Sequence, residues 1–83
     1  MNKLTLEVRL PAANRSFDVM IPAQVPFRDL FGMIAQAMAS LSGDEFMASA
    51  DSMLFDATSG TPVPQDKTAM QLRMLNGHKL VLM

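Results

Sequence analysis

A single histidine, His78, is the one imidazole in the 83-residue chain. A serine relay needs a hydroxyl, an imidazole that takes its proton, and a carboxylate that orients the ring. Ser52, His78 and Asp56 supply those types, but any domain with several serines permits such a trio. No serine sits between the glycines of a nucleophile elbow. His78 follows the turn dipeptide Asn76-Gly77 and reads as a solvated loop residue. The acids Asp44, Glu45, Asp51, Asp56 and Asp66 are spread over two loops, where capping and turn formation account for them. None is spaced as a set of metal ligands. Gly32, Gly43, Gly60 and Gly77 are isolated and build no phosphate cradle. The expectation is a protein without catalytic residues, metal or cofactor.

Composition narrows the partners. Seven basic and eight acidic residues leave a net charge of -1, and the lysines and arginines are scattered singly. Nucleic acid is excluded as the main partner, because no basic cluster neutralises successive phosphates. There are no cysteines, so neither disulfides nor thiolate ligands contribute. No apolar run approaches the ~20 residues that span a bilayer, and the opening Met1-Asn2-Lys3-Leu4 leads into alternation rather than a signal peptide. No membrane insertion is expected, and the expected location is cytoplasmic. At this length folding buries roughly 60–65% of the chain's surface, which makes one modest core. Nine methionines fill gaps in such a core or form an adaptable surface.

The elements that would position any site follow from periodicity. Between Pro26 and Leu41, the large apolar residues Phe27, Leu30, Phe31, Ile34, Met38 and Leu41 recur with a period near 3.6, as in an amphipathic helix. Pro26 suits the first helical position and Gly43 the left-handed closure after the last turn. Leu4, Leu6, Val8 and Leu10 alternate with polar residues, and Phe17, Val19 and Ile21 recur at the same spacing of two. With the turn-prone run from Pro11 to Arg15 between them, they predict a β-hairpin ended by Pro22. Phe46 and Met47 are candidate anchors under a loop. Met53-Leu54-Phe55 predicts a short strand, Pro62-Val63-Pro64 a minimal edge strand, and Lys79 to Met83 a closing strand after the Asn76-Gly77 turn. Met70, Leu72, Met74 and Leu75 stand ready to cover the core from the irregular stretch between. The helix crossover lets the last strand return parallel to the first. The expectation is a single α+β domain over residues 1–83, a mixed sheet of four to five strands wrapped over one helix. Phe31 and Ile34 are expected to pack against Leu6, Val19 and Leu82.

That order, the helix after a proline-containing loop and the closing Leu80-Val81-Leu82 resemble ubiquitin, the type of the β-grasp fold. Leu6 to Pro11, Phe17 to Pro22 and Leu75 to Leu82 are most similar to the YukD/EsaB-like proteins of bacterial type VII, WXG-type, secretion systems. The resemblance implies a non-enzymatic protein-interaction module serving that machinery, as a cytoplasmic accessory or regulator. Its alternatives are the cytosolic domain of a larger membrane subunit and, further off, a ubiquitin-like modifier or sulfur carrier. Ubiquitin's terminal diglycine has no counterpart at Leu82-Met83, so conjugation is not expected.

A surface remains as the working part. With Leu80 and Leu82 turned to the helix, alternation sends Val81 and Met83 to the outer face of the sheet. With Met53 and Phe55 turned inward, Leu54 joins them there. The expected protein-binding patch is therefore Leu54, Val81 and Met83 with Lys79 at its border. The same patch would serve a weak homodimer.

Overall fold

The computed structural model describes residues 2–44, 46–47, 49 and 51–83. Strand β1 (Lys3–Leu10) and strand β2 (Arg15–Pro22) form an antiparallel hairpin. The turn over 11–14 is closed by Ala13 N–H to Leu10 O and Asn14 N–H to Pro11 O, both 3.1 Å. Asn14 takes the left-handed conformation there, φ 52°, a region its short polar side chain tolerates. Arg15 pairs with Leu10, so the turn is one residue shorter than the sequence suggests.

Helix α1 (Phe27–Leu41) lies on the sheet and buries Phe27, Leu30, Ile34, Ala35 and Met38. Phe31, expected to be buried, packs against the core but is only partly covered, and Leu41 is exposed. Leu41 has the right phase but occupies the last helical residue, where the chain turns away, and Ala35 takes a core place instead. Pro26 precedes the first helical residue rather than occupying it, and no side chain caps the helix. The orphan amides of the first turn are met by backbone: Phe27 N–H donates to Lys67 O at 3.0 Å and Arg28 N–H to Gln65 O at 2.9 Å. At the other end, buried Ser42 donates to Ala39 O and accepts from Phe46 N–H, each at 3.2 Å. Gly43 follows with φ 64° and Asp44 with φ 67°, and Asp44 N–H closes on Ala39 O. Phe46 is buried as an anchor, whereas Met47 is exposed.

Strand β3 (Leu54–Asp56) is antiparallel to strand β4 (Lys79–Leu82), and β4 is parallel to β1, giving the order β2-β1-β4-β3. This is a β-grasp. Pro62-Val63-Pro64 contributes only the bridge Phe55–Pro62 rather than a strand. The two prolines have no N–H, so Val63 alone can donate, and it does so to Leu54 O at 2.9 Å. Residues 68–74 form a compact turn in which Thr68 and Gln71 satisfy each other's amides through their side chains, at 2.9 and 3.0 Å. That turn buries Ala69 and Met74 and partly covers Leu72. It leaves Met70 and Leu75 exposed, against the expectation that all four apolar residues cover the core.

The core lies between sheet and helix. Leu6, Val8, Leu10, Val19, Ile21, Leu54, Leu80 and Leu82 face the buried side of α1.

Candidate functional site

The outer face of the sheet is set by how β3 and β4 meet. Leu54 stands opposite Leu82, Phe55 opposite Val81, and Asp56 opposite Leu80. Leu80 and Leu82 are buried against the helix, so the same phase puts Leu54 in the core, 2% exposed. The sequence expectation that Leu54 faces outward is therefore wrong by one residue. Three apolar residues in a row carry no period-two signal, and the partner strand decides which of them points inward. Phe55 turns to the outer face with Val81, both partly buried. Met53 and Met83 extend that row: their backbones exchange two hydrogen bonds, 2.7 and 3.0 Å, and the two residues are 41% and 54% exposed.

Lys79 lies at the border as expected, exposed and opposite Glu7 of β1, and exposed Arg9 stands opposite Val81. The face thus brings together Val81, Met83 and Lys79 from the expected patch, adds Met53, Phe55 and Arg9, and excludes Leu54. Arg9 was legible from the alternation of β1. Phe55 was not, because its direction follows from pairing alone.

The second polar feature is a contact between an imidazole and a carboxylate. His78 Nε2 lies 3.0 Å from Asp56 Oδ2, with each side chain 24% exposed. His78 is thus not the solvated loop residue its turn suggested. It immediately precedes β4, and the antiparallel end of β3 delivers Asp56 to it. Burial pushes the Asp56 carboxyl upward, but the His78 hydrogen bond, the Thr58 amide and the nearby imidazole charge outweigh it. Its pKa falls below the ordinary aspartate value. Thr58 N–H donates to the other oxygen, Asp56 Oδ1, at 2.8 Å. Ser52 is engaged elsewhere: its hydroxyl accepts from Ser49 N–H at 2.9 Å. Imidazole and carboxylate therefore pin two strand ends together. Asp44, Asp51 and Asp66 are exposed, and Glu45 lies outside the described residues. Among the described residues no cluster of three or more His, Cys, Asp or Glu side chains could hold a metal ion. No helix among them is long and apolar enough to cross a membrane.

A groove of about 460 Å³ opens at the far end of β1, lined by Asn2, Lys3, Leu4 and Ala23 on one side and by Met70 and Arg73 to Leu75 on the other. Arg73 adopts φ 59° there, an uncommon conformation for a long side chain.

Against known structures, the chain superposes over its full length on the ubiquitin-like domain of EccD5 from Mycobacterium xenopi, at TM-score 0.84, 15% identity and 94% coverage of that chain. It superposes equally fully on the ubiquitin-like domain of the Mycobacterium tuberculosis type VII secretion protein ECCD1, at TM-score 0.80, 16% identity and 99% coverage. A chain of the MycP5-free ESX-5 inner membrane complex also matches, at TM-score 0.84 and 13% identity, with 21% of that longer chain covered. At such identities the likeness establishes the ubiquitin-like fold. No curated protein matches the sequence. The family model described as the WXG100 protein secretion system (Wss), protein YukD, matches residues 4–82. With nearly every residue inside that match, the chain belongs to the YukD family of the WXG100, or type VII, secretion system.

Proposed function

We propose that this chain is a single, non-enzymatic ubiquitin-like domain that binds a protein of the type VII secretion machinery through the outer face of β3 and β4. The observation that carries the proposal is the pairing of Met53 with Met83 and Phe55 with Val81, which gathers four apolar side chains into one contiguous patch. Cross-strand neighbours on one face act as a unit. An apolar centre rimmed by the cations Arg9 and Lys79 is the composition of a contact in which a few central side chains carry most of the affinity. Its place in the cell is cytoplasmic, as an accessory or regulator of the membrane-embedded apparatus. A second reading, the cytosolic domain of a larger membrane subunit, draws support from the match to about a fifth of a chain in an inner membrane complex. A reading frame running on into transmembrane helices would select that reading.

The test is a Met53→Asp/Met83→Asp double variant beside Val81→Asp. Each should keep the wild-type circular dichroism spectrum while losing co-purification with the secretion apparatus and export of its WXG-type substrate. Folded variants that co-purify and export as wild type would overturn the assignment of this face.

A further inference from the structure

We propose that the groove between the start of β1 and residues 70–75 is a second docking site, one that takes an extended acidic segment of a protein partner. It stands apart from the outer-face patch. Strand β4 pairs with β1 only from Glu7 to Arg9, whereas the groove begins at Lys3 and Leu4, at the opposite end of the same strand.

Three observations define what it would hold. The first is an unfinished strand edge. Thr5 donates to Asn76 Oδ1 at 2.9 Å and accepts from Gly77 N–H at 2.7 Å, and Glu7 N–H donates to His78 O at 2.9 Å. Odd-numbered residues of β1 thus turn their main-chain groups toward the β4 side. By the same alternation, Lys3 turns its N–H and C=O toward that edge, and no hydrogen bond completes them among the described residues. An unpaired edge is a template for an extended chain.

The second observation is charge. Both ionisable side chains lining the groove, Lys3 and Arg73, are cations, and neither makes an ion pair among the described residues. The third is the apolar lining. Leu75 is 75% exposed, and Met70, 45% exposed, is a flexible thioether that adapts to varied side chains beside the buried Met74. The volume falls within the range of about 300–1,000 Å³ typical of ligand pockets, enough for a few side chains. Acidic residues alternating with apolar ones would answer all three features. Backbone would meet the Lys3 edge, carboxylates the two cations, and apolar side chains the methionine floor.

Arg73 supplies a discriminating variant. At φ 59° a glycine relieves the left-handed backbone, so Arg73→Gly should hold or raise the melting temperature while weakening binding. A cation that served only the fold would not separate these two effects.

The experiment is NMR amide-shift mapping with a capped hexapeptide alternating glutamate and leucine, and with its lysine–leucine counterpart. The acidic peptide should shift Lys3, Leu4, Ala23 and Met70 to Leu75, and the basic one should not. Added salt should weaken binding, because both cations are solvent-exposed. The Lys3→Glu/Arg73→Glu pair should lose about tenfold in affinity, two exposed ion pairs' worth, while Val81→Asp changes nothing. Equal responses to both peptides, shifts confined to Phe55 and Val81, or an unchanged affinity in the double variant would each overturn the site. So would groove shifts that follow protein concentration without peptide, which would make a second copy of this chain the occupant.

Discussion

Leu54→Ala should be among the most damaging substitutions in the molecule, and Met53→Ala, one residue away, among the mildest. Leu54 is 2% exposed, opposite Leu82 and beneath the helix, so truncation removes buried methyl groups and leaves a cavity. Buried leucines lost in this way cost about 2–5 kcal/mol. Met53 is 41% exposed on the other face, where substitutions stay within about 0.5 kcal/mol. At about 2.1 cal/mol/K per residue, an 83-residue domain unfolds with an entropy near 0.17 kcal/mol/K, so each kcal/mol is worth about 6 °C. Leu54→Ala should therefore lower the Tm by about 12–30 °C and Met53→Ala by about 3 °C or less. The total stability of a chain this size is about 4–12 kcal/mol, so the Leu54 variant keeps only part of its margin. Thermal melts followed by circular dichroism, with urea titrations to check that the m-value is unchanged, make the measurement. Melts that superpose, or a larger loss at Met53, would refute the β3–β4 register and with it the composition of the outer face.

The start of the helix offers a second check. Phe27 and Arg28 donate to backbone carbonyls of Lys67 and Gln65, so their amides should resist hydrogen exchange although first-turn amides usually exchange freely. Exchange at the rate of unstructured chain would contradict the docking of residues 65–67 on the helix. A third concerns pH. The folded-state pKa of Asp56 is lowered, so its pairing stabilises the fold above the unfolded aspartate value of about 3.9 and is lost as pH falls through the folded value. Asp56→Asn should be less stable than wild type above the unfolded aspartate value, and the two denaturation midpoints should converge as pH falls below it and through the lowered folded value. A constant gap across that range would mean that the carboxylate's charge contributes nothing.

The sequence by itself determined the hairpin, the helix and the two later strands, in their order. Strict alternation in Leu4 to Leu10 and the spacing of two in Phe17, Val19 and Ile21 leave one face to bury in each strand, and the hairpin turn between them follows from its residues. The 3.6 period from Phe27 to Met38 does the same for the helix, and laying the helix on the sheet buries both apolar faces. Tertiary structure decided what periodicity could not carry. Met53-Leu54-Phe55 is apolar throughout, so only the pairing with Leu82 and Val81 assigns Leu54 to the core and Phe55 to the surface. Asn76-Gly77 marks a turn, but only the antiparallel approach of β3 brings Asp56 to within 3.0 Å of His78 and takes the imidazole out of bulk solvent. Leu41 keeps the helical phase yet lies exposed, because burial requires a neighbour at that height as well as the right angle. Phase is a local property of the chain. Which residues meet across the sheet is a property of strands joined by long connections, and no spacing within either strand records it.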